Sequence, residues 1–124
     1  MAEKGIADYD VPKADSESAL DALEAVKDSG VIKKGVNETT KAVERSTAKL
    51  VVIATDVQPP EIIMHIPALC NEKKVAYITV PSKEELGKAV GIEVSTAAVA
   101  VVEEGKAKKQ VEDLVERIKE LQRK

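Results

Sequence analysis

Apolar residues in this chain follow two kinds of pattern. In some segments they recur every three or four positions, and in others they run together. Ala19, Leu20, Leu23 and Val26 make a stripe with Gly30 behind it as a stop, which predicts a helix over Ser16–Ser29. Val111, Leu114, Val115, Ile118 and Leu121 make a plainer stripe on an otherwise charged segment, which predicts a last helix. Further helix patterns cover Asn37–Arg45, Glu61–Asn71 with Pro67 interrupting it, and Ser82–Val90. Ser82 followed three residues later by Glu85 is a capping-box signature. Gly87 and Gly91 read as the end of that helix.

The continuous runs are Leu50–Ala54, Val75–Val80 and Ala97–Val102. Runs of this kind suit strands covered on both faces, as in a parallel or mixed sheet. Val31–Lys34 is a shorter strand candidate, with Gly35 breaking the chain after it. Residues 1–14 show no period and hold Gly5 and Pro12. They are read as a flexible start, with a short strand near Ile6–Val11. Strands alternating with helices predict an α/β chain, a single-domain three-layer α/β/α sandwich around a small mixed sheet. The domain is expected to occupy residues 15–124. No apolar run approaches the roughly 18 residues of a membrane span, so no membrane association is expected. No basic-then-apolar segment opens the chain, and a cytoplasmic location is the expectation.

Composition adds exclusions. The 124 residues are 44% hydrophobic and 33% charged, as in an ordinary globular domain. A lone cysteine, Cys70, cannot form an internal disulfide or a zinc cage. The aromatics are Tyr9 and Tyr77, which counts against modules that stack bases on rings. The formal net charge of −3 by itself argues against nucleic acid. Its distribution changes that picture. Residues 1–30 carry 3 basic and 8 acidic side chains, whereas residues 31–50 carry 5 and 2. The acidic first helix is therefore a candidate protein-contact face, and a short basic segment follows it.

Much familiar chemistry is missing. No GxxxxGK[ST] or GxGxxG phosphate loop occurs. His65 and Cys70 lie five residues apart with no further ligands nearby, and both are expected to belong to a helix packed on the sheet. Neither a metal site nor a cofactor is expected. Acidic pairs such as Glu84-Glu85 and Glu103-Glu104 read as solvated faces rather than acid–base machinery. The Asn37-Glu38-Thr39 sequon has no secretion signal to accompany it.

One stretch stands out: Lys33-Lys34-Gly35-Val36-Asn37-Glu38-Thr39-Thr40-Lys41, where a strand gives way to a helix. A helix start offers unpaired N–H groups and a positive dipole end, which suit phosphate. Gly35 permits a turn and close approach. Asn37 and Lys41 are four residues apart and share a face with Glu38 beside them. An amide, a carboxylate and an ammonium together can read base edges. The same residues equally make a plain helix start, with Asn37 as cap and Glu38 near the dipole end. Spacing alone leaves both readings open.

Lys34–Lys41 resembles the signature of the kink-turn-binding ribosomal protein family, above all its archaeal large-subunit branch. The resemblance continues through Lys49–Asp56, Pro59–Pro67, Cys70, Pro81-Ser82-Lys83, Leu86-Gly87 and Gly91–Val94. It spans roughly residues 16–122, and the ordered set of blocks is far more specific than a lone NExxK. It implies a non-enzymatic RNA-binding scaffold. Family members are similar α/β/α sandwiches that bind RNA kink-turns, sharply bent duplexes with a short bulge and tandem sheared G·A pairs. By resemblance, Asn37, Glu38 and Lys41 read the guanines of those pairs. Lys34 and Gly35 lie along the backbone at the kink. Ile92, Glu93 and Val94 pack on the bulge, and Ile62 and Lys83 line its flipped base. Gln58 departs from relatives that carry a carboxylate at this rim. Val94 departs from eukaryotic relatives with a basic residue, so the loop looks archaeal, a form associated with kink-loops as well. The implied partners are ribosomal, box C/D and H/ACA guide and ribonuclease P RNAs. Guide-particle proteins such as the methyltransferase scaffold are also implied, and the free protein is expected to be a monomer.

Two other readings compete. A small ligand-binding or enzymatic domain would place its site at the carboxyl ends of the strands, with Asn37, Glu38, Lys41 and Asp56 converging there. A structural ribosomal protein would have no selective RNA site.

Overall fold

The computed structural model describes residues 9–123. In chain order the elements are α1 (Lys13–Lys27), β1 (Val31–Lys34), α2 (Val36–Glu44), β2 (Leu50–Ala54), α3 (His65–Lys73), β3 (Tyr77–Val80), α4 (Lys83–Ala89), β4 (Ala98–Glu103) and α5 (Lys108–Arg123). Short 3₁₀ turns at Pro60–Ile62 and Gly105–Ala107 precede α3 and α5. The sheet is mixed, with order β1-β4-β2-β3. β2 and β3 run parallel, and β4 is antiparallel to both β1 and β2. α1 packs on α4 and α2 on α3, and these pairs form the outer layers. The expected sandwich is the observed one.

All residues of β2 and β3 are buried. Successive strand residues face opposite sides, so burial at every position means cover on both faces. That is the origin of the uninterrupted Val/Ile runs. α5 buries Val111, Leu114, Ile118 and Leu121, the stripe expected from its spacing.

Several boundaries differ from expectation for local reasons. The helix forecast to begin at Ser16 starts at Lys13, after Pro12 in an extended conformation. Its buried polar residues are satisfied: Ser16 Oγ donates to the Thr79 carbonyl at 2.8 Å, and Arg117 grips the Asp15 carboxylate at 3.0 and 3.3 Å. β3 starts at Tyr77 rather than Val75, because the Val75 N–H closes α3 on the Cys70 carbonyl at 2.8 Å. Pro67 does not interrupt α3. It is the third residue of that helix, where its missing N–H has no intrahelical bond to lose. Of the strand placed near Ile6–Val11, residues 6–8 lie outside the described residues, and 9–11 are not strand. Within the segment expected to be flexible, Tyr9 has definite contacts. Tyr9 is 5% exposed, edge-on to Tyr77 with ring centroids 5.5 Å apart, and its hydroxyl donates to the Tyr77 carbonyl. Among the described residues, no helix is long and apolar enough to cross a membrane.

Candidate nucleic-acid interface

The mixed topology brings one set of chain ends together. Lys34 at the end of β1 pairs with Val99, and Ala54 and Val80 at the ends of β2 and β3 pair with each other. β4 runs the other way, so its first residue, Ala98, lies at that same end, paired with Ile53. The segments leaving or entering there are α2, the 55–62 stretch, Pro81–Lys83 and the loop before Ala98. Lys34 and Gly35 stand at that end of β1, and the other residues expected to contact RNA fall in these segments.

α2 is the centre of the arrangement. Gly35 is its N-cap at φ 101°, in the left-handed region that side chains disfavour. A Cβ at Gly35 would meet nothing within 4 Å, so the space before the helix is open. The Gly35 N–H donates to the Ala98 carbonyl at 2.8 Å and fixes the turn to the sheet. Asn37, Glu38 and Lys41 are exposed, while Thr39, Ala42 and Val43 are buried beneath them. No side-chain hydrogen bond or ion pair joins any of the three to another described residue. Asn37 does not cap: Gly35 holds that position, and no side chain bonds the first turn. The plain-helix-start reading therefore loses its main structural role. Lys34 is exposed on the edge strand immediately before the turn.

The remaining residues are held from two sides. Thr40 Oγ1 and His65 Nε2 are 2.9 Å apart and bridge α2 to the start of α3, directly after the Pro60–Ile62 turn. Ile62 is 44% exposed on that turn and Gln58 is exposed just before it. Asp56 Oδ1 accepts the Lys83 N–H at 2.9 Å, and Ser82 Oγ accepts the Glu85 N–H at 3.2 Å. The expected capping box is present on its Ser82 side, and Asp56 supplies a second acceptor for the α4 start. Ile92 is half-buried, Glu93 is exposed and Val94 is 70% exposed. An apolar side chain that open gains from being covered.

Several contributors escaped the sequence pattern. His65 and Cys70 share α3, as expected, but His65 is exposed and bonded to Thr40 while Cys70 is in the core. Burial pushes the Cys70 thiol up to about 12. Gly87 lies inside α4, and Gly91, at φ 82°, alone marks its end. Met64, 51% exposed beside Ile62, carried no spacing signal. The small-molecule alternative gains no support. Asp56 is engaged by the α4 backbone, and the cleft of about 320 Å³ at the strand ends is lined by Val11, Lys13, Ser16, Thr55, Thr79 and Val80 among others, without Asn37, Glu38 or Lys41. Among the described residues, no group of three or more His, Cys, Asp or Glu side chains could hold a metal ion.

The profile of the Ribosomal protein L7Ae/L30e/S12e/Gadd45 family matches residues 17–111. The chain belongs to this family. Among solved structures it is similar to a Giardia lamblia 15.5kD RNA binding protein, with 32% sequence identity and a TM-score of 0.80. That likeness covers 90% of this chain and 92% of the other. For an L7Ae/L30e/S12e/Gadd45 family chain, the exposed polar cluster on α2 and the apolar Ile62 and Val94 share one end of the sheet, with Lys34 and Lys83 there as cations.

Proposed function

We propose that this protein is a non-catalytic RNA-binding scaffold that recognises kink-turn RNA, and kink-loops as well. The observation that carries this reading is the start of α2. Asn37, Glu38 and Lys41 stand exposed, without partners among the described residues, behind an open turn at Gly35. Ordinary A-form major grooves are too narrow and deep for side chains to read. A sharp kink widens the groove locally, and a helix start can then enter with Gly35 against the backbone. Glu38 accepts from guanine amino or imino groups, and Asn37 and Lys41 donate to O6 and N7 of the sheared pairs. Lys34 meets phosphate near the kink. Ile62, Ile92 and Val94 cover the unpaired bulge bases by apolar contact, and Lys83, Gln58 and Glu93 rim that pocket. The similarity to an RNA-binding protein of the same fold supports the partner class.

In the cell, such a scaffold serves in the large ribosomal subunit and nucleates box C/D and H/ACA guide particles, where companion proteins do the chemistry. Ribonuclease P RNA is a further partner. The Ile92-Glu93-Val94 loop resembles the archaeal form, and the scaffold works in the cytoplasm. The test is a titration against a kink-turn RNA and against the same RNA with its sheared G·A pairs changed to Watson–Crick pairs. Strong preference for the first is expected; equal affinity for both sinks the reading.

A further inference from the structure

We propose that Gly87, a residue that touches no RNA, sets the position of the Ile92–Val94 loop and so determines how well the protein grips the unpaired base of the bulge. This inference rests on the RNA reading above and deepens it.

Gly87 is the fifth residue of the seven-residue α4 and is buried. Glycine in a helix interior costs about 1 kcal/mol relative to alanine. Its φ gives no reason to accept that cost, since the positive-φ glycines are Gly35, Gly91 and Gly105. Space gives the reason. A Cβ at Gly87 would lie 2.2 Å from the Val94 carbonyl oxygen, 3.2 Å from the Val94 carbonyl carbon and 3.3 Å from Ser95 Cα. All three are backbone atoms, so no side chain can swing aside. Any residue larger than glycine must push the loop off α4.

Two hydrogen bonds pin the loop to the same helix. The Ile92 N–H donates to the Gly87 carbonyl at 3.1 Å, and the Thr96 N–H donates to the Lys83 carbonyl at 3.2 Å. Lys83 and Gly87 are one helical turn apart and share a face. That face therefore spaces Lys83, itself fixed by Asp56, from the Val94 backbone. The Val94 carbonyl presses inward on Gly87 while the residue as a whole stays 70% exposed. The inward contact fixes the height of the outward one.

The experiment compares three RNAs: a kink-turn, the same kink-turn with its flipped-out nucleotide made abasic, and a plain duplex. The wild-type chain is expected to lose about tenfold on the abasic RNA, the equivalent of one half-covered aliphatic side chain. Gly87→Ala is expected to bind the intact kink-turn about tenfold more weakly and to treat the abasic RNA almost like the intact one. Val94→Ala should give the same loss of discrimination, and the two changes together should not add. A purely structural role would weaken both kink-turns equally and leave their ratio unchanged. That result in a folded Gly87→Ala overturns the proposal, as does a wild-type chain indifferent to the abasic site. Should Gly87→Ala fail to fold, inserting a glycine between Val94 and Ser95 lifts the loop with α4 unaltered; wild-type discrimination in that variant also overturns it. Glu38→Ala separates the two levels. If it leaves kink-turn affinity unchanged, the RNA reading fails. If it weakens binding while the Gly87→Ala ratio stays at the wild-type value, only the role of Gly87 fails.

Discussion

Replacing Glu38 by alanine makes the sharpest demand on the proposed interface, because its effects on specific and non-specific binding have opposite signs. Glu38 is exposed in the first turn of α2, with no partner in the described chain to repair or disrupt. The fold loses only a favourable charge at a helix N-terminus, about 0.3–1 kcal/mol. The complex loses more. A good base-edge contact is worth about 1–3 kcal/mol of discrimination. At about 1.4 kcal/mol per tenfold, kink-turn affinity should fall between about fivefold and 150-fold. Plain duplex RNA should respond the other way. A chain of net charge −3 that loses one carboxylate beside Lys34 and Lys41 attracts phosphate more strongly, so duplex affinity should rise slightly. Fluorescence anisotropy on both RNAs at one salt concentration measures the two signs together, and thermal unfolding checks that the fold is intact. Unchanged kink-turn affinity refutes the assignment of Glu38. A parallel fall on both RNAs refutes the reasoning about readout, since only a loss of folded protein weakens both.

Lys34→Ala should weaken kink-turn and duplex binding alike and reduce the slope of log K against log salt by about one unit, measured over a salt titration; an unchanged slope places Lys34 away from phosphate. Thr40→Val keeps the shape of the side chain and removes the 2.9 Å hydrogen bond to His65. It should lower kink-turn affinity several-fold and the unfolding midpoint by only a few degrees, because one hydrogen bond contributes about 0.5–1.5 kcal/mol; equal affinity shows that the α2–α3 bridge does not position the reading face. Burial raises the Cys70 thiol from its ordinary 9.0 to about 12. Unfolded thiols then release protons that the native state keeps, so this contribution is intact below about pH 9 and is lost as pH rises towards 12, at about 1.4 kcal/mol per pH unit. Denaturant melts across that range should show a shallower pH dependence in Cys70→Ala; parallel curves contradict the shift.

The fold was legible where burial is complete. Leu50–Ala54 is apolar at every position because cover on both faces tolerates nothing else, and the stripe of α5 repeats at helical spacing because one side of it meets the core. Legibility failed where a neighbour in space, not in sequence, decides. Val75 looks like strand, yet its N–H is taken by the Cys70 carbonyl at the end of α3. Pro12 looks like a break, yet it starts α1, whose Ser16 then reaches a β3 carbonyl 63 residues away. Tyr9 carries no period to announce that it packs against Tyr77.

The candidate site divides along the same line. Its exposed residues belong to one short motif, and a motif is local: Lys34, Gly35, Asn37, Glu38 and Lys41 all lie within eight residues. The supports of that motif are long-range. Thr40 needs His65, Lys83 needs Asp56, and Val94 needs an empty position at Gly87. None of these pairs has a spacing that a single sequence can reveal. The overall charge misleads for a related reason. Acid concentrated in residues 1–30 outweighs the basic segment that follows, yet half of it, Asp15, Glu17, Asp21 and Glu24, lies on α1, which packs with α4 and α5, while the polar cluster is on α2. Beyond about a Debye length of 10 Å these charges scarcely act on one another in salt. The net charge then sets how weakly the chain holds RNA of any sequence, and the shape held by those long-range pairs sets which RNA it prefers.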